Sequence, residues 1–420
     1  MYLKKKSVWG WALYDWANSA FATTVMVAFF PVLFKGYFTQ GQLATESTAK
    51  LGLFNALATL IVALLAPLLG AAADKGSRKK KFLASAAFLG ALATAGLGLA
   101  HQGQWLLAGL FYMFGSAGFG ASISFSDSLL NDIANEDEVH GVSALGYAMG
   151  YLGGGLLFAL NLFMVAKPEL FGLADQTAAV KASFVTVGIW WAIFSIPVLL
   201  WVDEPKQKSE PLMSSIKMAM RELKQTANAV RGQRSAFLFL LAYLVYNDGV
   251  GTSIKMAVDF GLSIGLDSTR LSLAILMVQF VGFPLTLLFG WLAKRFHPKT
   301  AIYICLAVYF CVTIWAVFMN TINEFFGMAA VIGCVQGGVQ AISRSFYAQL
   351  IPSEKSGEFF GFFNMLGRFS GLLGPLCMAG IGLVTGNSRL GLLAVSCFFV
   401  VGAWMLSRVK VSASELRTAK

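Results

Sequence analysis

Twelve stretches of roughly twenty predominantly apolar residues follow one another along this chain, and they leave few folds open to it. They cover 9–34, 51–73, 82–100, 104–130, 141–165, 182–202, 236–260, 269–293, 300–320, 325–351, 357–385 and 389–408. A helix of about 20 apolar residues crosses the hydrocarbon core of a bilayer. In lipid, backbone polar groups must be satisfied within the segment itself, so each stretch is expected to be a transmembrane α-helix. Hydrophobic residues make up 57% of the chain and charged residues only 13%, against about 25% charged in an ordinary soluble domain. The expected class is an all-α membrane protein lying in a lipid bilayer.

The net charge of +11 invites a nucleic-acid reading, but the positions of the basic residues point elsewhere. Most of the 32 lysines and arginines fall before the first stretch, after the even-numbered ones and in the central segment 203–235. That asymmetry places both termini on the cytoplasmic side and excludes nucleic acid as the expected partner. The basic Lys4-Lys5-Lys6 before an apolar run imitates a signal peptide. The run is too long and lacks a small-residue cleavage site, so it is expected to stay as the first span. The five cysteines lie in apolar stretches of the second half, with no metal-ligand spacing to a histidine; neither a metal site nor a disulfide framework is expected. No cofactor motif is present, and no His-Glu-x-x-His or Gly-x-Ser-x-Gly motif supports an enzyme.

A faint repeat divides the chain. At an offset of 217 residues and without a gap, Gly120 falls on Gly337, Ser126 on Ser343, Ser128 on Ser345 and Gly150 on Gly367. Two such halves in a membrane chain are the usual build of a secondary transporter. The expected organisation is a six-helix bundle at 1–202, a cytoplasmic linker with an amphipathic helix at 203–235, and a second six-helix bundle at 236–420. At the same offset Asp127 stands opposite Arg344.

The loop after the second stretch carries Gly70, Asp74, Gly76 and Arg78, which resembles the signature loop of the major facilitator superfamily. Trp11 to Ala22, Val142 to Tyr147, Tyr246-Asn247-Asp248-Gly249, and Gly337 to Gly361 with Gly367-Arg368 extend the likeness over nearly the whole chain. On these stretches the sequence resembles the autophagy-related vacuolar amino-acid effluxer family of that superfamily. The resemblance implies the twelve-helix major facilitator fold and export of small solutes, amino acids foremost. It also implies a central cavity lined by spans one, four, seven and ten. Lys294, where the family more often has an aspartate, is a departure; the acids Glu136-Asp137-Glu138 are expected to complement Lys294 and Arg295.

Each of those four spans holds an ionisable residue: Asp15, Asp127, Asp248 and Arg344. A charge facing lipid is costly, so all four are expected in the cavity or against one another. At 1.5 Å per residue, Asp15 and Arg344 lie roughly 10 Å from the cytoplasmic side. With Asp127 they form an expected cytoplasmic charge cluster, with Arg368 as a further partner. Asp248, near mid-span, is the expected carrier of a coupling proton or partner of a substrate amine. Asn18, Tyr246, Asn247 and Gln340 are candidate hydrogen-bonding groups of the pathway. Lys255 and Asp259, four apart on one helix face, are a candidate outer-side ion pair.

The reading is a monomeric secondary transporter of a small molecule, an amino acid or related zwitterion, with protons as a coupling ion. It belongs in the cell membrane of a bacterium or the vacuolar membrane of a eukaryote. The alternatives are a sugar, peptide or nucleoside as substrate, and a non-transporting receptor or scaffold on the same fold.

Overall fold

The computed structural model describes residues 2–74, 78–204, 232–263, 268–319, 321–370 and 388–410, with positions 373, 374, 377 and 381. Among these the chain is helical throughout. The helices are α1 (Lys6–Phe38), α2 (Ala44–Asp74), α3 (Lys79–Gly96), α4 (Trp105–Ile133), α5 (Val139–Ala166) and α6 (Gln176–Trp201). There follow α7 (Arg234–Ser263), α8 (Ser268–Arg295), α9 (Pro298–Phe318), α10 (Ile322–Leu350), α11 (Ser356–Phe369) and α12 (Ser388–Ser407). Among the described residues ten helices, α1 to α10, are long and apolar enough to cross a membrane. The expected linker helix lies outside the described residues.

Local chemistry sets several helix ends. Asp175 accepts from the Ala178 amide at 2.7 Å and starts α6. Thr321 and Glu324 form a reciprocal capping box at the start of α10, satisfying two of the amides that a helix N-terminus leaves orphaned. α1 is irregular: Phe21–Phe29 and Phe34–Phe38 are π-helical, on either side of a short α-turn holding Pro31. Proline removes one backbone donor from the ladder, and π-segments of this kind concentrate at functional sites.

Some contacts early and late in the chain are alike in kind. Lys80 at the start of α3 donates to Leu199 O at 2.9 Å, and Lys299 at the start of α9 donates to Val409 O at 2.7 Å; each lysine serves carbonyls at the end of a helix three further on. Trp11 Nε1 donates to Ser126 O at 2.7 Å, and Tyr246 pairs with Ser343, the repeat mate of Ser126, also at 2.7 Å. Across the molecule α2 packs on α11 and α5 on α8. Two contacts join residues 217 apart: Arg344 to Asp127, and Asn131 Nδ2 to Ala348 O at 3.3 Å.

The acidic loop before α5 has a different partner from the one expected. Lys5 donates to Glu138 Oε2 at 2.5 Å, while Lys294 and Arg295 are exposed. Glu138 is tied to the N-terminus because that segment folds back over the start of α5. The Lys5 hydrogen bond and charge hold the Glu138 carboxyl below its ordinary range, since both favour the ionised form. A depressed carboxyl stabilises above its unfolded pKa and loses that contribution as pH falls through the folded value. Protection of the amides at residues 2–6, measured relative to their intrinsic exchange rates at each pH, is therefore expected to fall on acidification below the ordinary glutamate range. In Glu138→Gln protection should be low at every pH; protection in the parent that does not change with pH would contradict this.

Candidate functional site

A cavity of about 450 Å³ lies among α1, α4, α5, α7, α8, α10 and α11. Its lining descends α1 from Val27 to Asp15 and α10 from Phe325 to Arg344. Asp15 and Arg344 thus form its floor, and the lining reaches toward the end opposite the N-terminus. Tyr147, Tyr151, Tyr243 and Phe119 line its walls with Ile275, Val278 and Ile332. Polar groups are interspersed: Asn18, Asn247, Gln336, Gln340, Asn364 and Gln279. Gln279 Nε2 donates across the wall to Thr23 Oγ1 in the π-helical part of α1, at 2.6 Å.

Arg344 is 1% exposed, and all five of its N–H donors are used. Nε donates to Ser143 Oγ at 2.9 Å and Nη2 to Ser143 O at 2.9 Å. Nη1 and Nη2 both reach Asp15 Oδ2 at 3.1 Å. The second Nη1 proton goes to Asp127 Oδ1 at 3.0 Å. The guanidinium plane lies between two rings, its carbon 4.6 Å from the centroid of Trp11 and 4.2 Å from that of Tyr147. Helical spacing explains how so few elements build this box. Trp11 and Asp15 are one turn apart on α1, and Ser143 and Tyr147 one turn apart on α5, so each helix delivers one ring and one oxygen-bearing group. Gly146 keeps the box tight, because a Cβ there would sit 2.4 Å from Asp15 Oδ2. Every partner of Arg344 belongs to α1, α4 or α5, whereas Arg344 itself stands on α10.

The charges do not cancel. Two carboxylates face one guanidinium, and of the two only Asp15 lines the cavity. Asp127 is 2% exposed and gives its second oxygen to Asn364 Nδ2 at 2.9 Å. Below this floor a second layer closes the end at which the chain begins. Lys79 Nζ donates to Asp132 Oδ2 at 2.9 Å and to Ser356 Oγ at 2.8 Å. Ser356 in turn donates to Ser128 O at 3.0 Å, and Gln349 to Glu136 O at 3.2 Å. These contacts tie α3, α4 and the loop before α5 to α10 and α11.

The structure brings Asp15, Asp127 and Arg344 together, and Asn18, Asn247 and Gln340 line the cavity with Asp15 and Arg344. Two expectations are corrected. Tyr246 is fully buried behind the wall on Ser343. Asp248 is 1% exposed and does not line the cavity. Its carboxylate accepts from the backbone amides of Leu373 at 3.0 Å and Gly374 at 2.7 Å, so its burial is compensated by the chain beyond α11 rather than by a cavity charge. The side chains of Asp74, Lys255, Asp259 and Arg368, and the whole of Gly76, lie outside the described residues. Gly70 is buried against Gly357, and Arg78 stands at the N-cap of α3. Trp11, Ser143, Tyr147 and Asn364 are site residues that single-residue reasoning overlooked. The signal available for three of them was the four-residue spacing within α1 and α5.

The family model described as "Vacuole effluxer Atg22 like" matches residues 3–52 and 36–418. The chain belongs to this family. Among relatives of this Atg22-like chain, the MFS-type transporter YxiO of Bacillus subtilis (strain 168) is 37% identical, over 95% of this chain and 94% of that protein. Autophagy-related protein 22 of Eremothecium gossypii is 23% identical, over 98% of this chain and 93% of that one. Among solved structures, the proton:xylose symporter XylE, of the major facilitator superfamily, superposes with a TM-score of 0.71 at 14% identity, covering 98% of this chain and 97% of that one. The Atg22-like chain therefore shares its fold with the major facilitators and is a multi-pass membrane protein.

Proposed function

We propose that this chain is a secondary transporter working by alternating access, with twelve transmembrane helices in two six-helix bundles, 1–202 and 236–420. The linker 203–235 and both termini lie in the cytoplasm, on the basic side of the membrane. The identity to the Bacillus protein over nearly the whole chain favours a bacterial cell membrane. The contacts at the 217-residue offset support a two-fold axis between α4 and α10. The cavity, closed at the basic end by two layers of contacts, corresponds to an outward-open state.

The substrate is an amino acid or related zwitterion, and the observation that carries this is the complete dependence of Arg344 on the other bundle. Opening toward the cytoplasm separates α10 from α1, α4 and α5, and strips Arg344 of five hydrogen bonds and both rings at once. Water entering from that side replaces the planar fork of five bonds only in part. A zwitterion replaces what is lost on both sides, its carboxylate pairing with the guanidinium and its ammonium with Asp15. The surplus carboxylate gives a proton a place in the cycle: with no ammonium bound, the proton takes its position at the Asp15–Asp127 cluster. Coupling is thereby assigned to the floor of the cavity rather than to Asp248. The apolar walls accept an aliphatic or aromatic side chain, and the direction proposed is export.

Leucine, 3-methylbutylamine and 4-methylpentanoate share one apolar body and differ in the charges they carry. A ligand that binds the native state raises its thermal stability. A charge-assisted hydrogen bond contributes about 1.5–3 kcal/mol, so each half-charged analogue is expected to bind roughly ten- to a hundredfold more weakly than leucine. The shifts are read with purified protein, and flux by counterflow in proteoliposomes. Equal binding of amine and amino acid, or a response to sugars, peptides or nucleosides alone, would overturn the substrate class. Binding with no flux would identify a receptor.

A further inference from the structure

α11 ends at Phe369, and Ser370 has extended backbone with ψ 140. The chain is helical again at Leu373 and Gly374. A break inside a helix leaves carbonyls unpaired on one lip and amides on the other. Two neighbouring residues of α7 answer both. Asn247 Nδ2 donates to Ser370 Oγ and lies 3.5 Å from Gly367 O; Ser370 Oγ itself donates to Gly367 O at 2.6 Å. Asp248 accepts the Leu373 and Gly374 amides on the other lip, and Thr252 Oγ1 supports its Oδ1 at 3.3 Å. The donor faces the carbonyl lip and the carboxylate faces the amide lip, which is the order the break demands.

The arm on the near side of the break carries much of the closure at the basic end. Ser356 on it meets Lys79 and Ser128, and Asn364 meets Asp127. Gly367 lines the cavity. Movement about the extended Ser370 therefore releases these contacts together while Leu373 and Gly374 stay on α7.

We propose that the break after α11 is the hinge of the inner gate, and that Asn247 and Asp248 form the clamp that sets its angle. Asp248 is on this view a positioning residue that carries no coupling proton. The role of the hinge in transport rests on the transporter reading above; the clamp itself does not.

The test uses full-length protein with its five cysteines replaced by serine and Ala348→Cys as reporter. Ala348 is 6% exposed and faces Asn131 at the basic end. Labelling by a polar maleimide in detergent reports opening there without needing flux. Asp248→Asn removes one of the two amide acceptors, Asp248→Ala removes both, and Asn247→Ala releases the other lip. Labelling is expected to quicken severalfold in Asp248→Asn and Asn247→Ala, and further in Asp248→Ala. Proteoliposomes loaded with radiolabelled leucine give the second readout: flux in Asp248→Asn falls but keeps the parent's dependence on the pH gradient. If Asp248→Ala does not fold, the other two variants decide. Parent labelling rates in both, or gradient dependence lost in Asp248→Asn with leucine exchange retained, would overturn the clamp. A parent that labels slowly but moves no leucine would sink the transport of this probe, while the labelling rates would still decide the clamp.

Discussion

Arg344→Ala is expected to abolish transport and to hold the protein open at its basic end. The substitution leaves Asp15 and Asp127 facing each other across the floor without their shared cation, and leaves Trp11, Tyr147 and Ser143 around an empty space. Removing one partner of a buried ion pair costs about 3–5 kcal/mol. In a two-state equilibrium that is roughly two to three and a half powers of ten, enough to reverse a closed-state preference. Lysine at position 344 should fail almost as completely. It offers three donors from one point, whereas the box is built for five in a planar fork with a ring on each face. The exchange Asp127→Arg with Arg344→Asp should recover only a small part of the loss. It restores the sign between repeat mates but sets a new carboxylate on α10 against Asp15, and leaves Ser143 and both rings where the guanidinium no longer sits. Leucine flux, and maleimide labelling of the Ala348→Cys reporter, read these outcomes. Normal flux in Arg344→Ala, or full recovery in the exchange, would show that the box is not the gate.

Gly70→Val is expected to produce the same open state by a steric route. A Cβ at position 70 would lie 2.3 Å from Gly357 O and 2.8 Å from its carbonyl carbon. Both are backbone atoms at the start of α11, so neither can swing aside, and α2 and α11 must separate. Forcing extra atoms into a packed contact costs about 1–3 kcal/mol. In the alternating-access cycle proposed above α2 and α11 part when the basic end opens, so the cost falls on the closed state. Flux should drop roughly ten- to a hundredfold, with faster labelling of the same Ala348→Cys reporter and an unchanged yield of folded protein. Gly52→Val on the same helix is the control, since a Cβ there meets nothing within 4 Å. Equal flux in the two variants would remove Gly70 from the gating surface.

Much of this was legible in the sequence because the bilayer leaves a chain few options. Long apolar stretches must become helices in lipid, and a charge inside one must find a partner. Asp15, Asp127 and Arg344 could therefore be grouped from their depths, and in the structure Arg344 meets both carboxylates directly. The rings and serine around Arg344 were within reach as well, had the four-residue spacings Trp11–Asp15 and Ser143–Tyr147 been read together.

Asp248 marks the boundary of that reasoning. By residue type it matches Asp15: an aspartate in the interior of a long apolar helix. Burial requires only that a carboxylate be compensated, and a guanidinium does this as well as a pair of backbone amides. Which of the two it meets depends on the rotation of α7 about its axis and on the chain being broken at Ser370. Neither is encoded in residues near Asp248. Composition along the chain was enough to mark the long apolar helices and the charges inside them that need partners. Only the tertiary structure decided which partner each charge has, because that follows from helix rotation and from a break in a distant helix, to which hydropathy and periodicity are blind.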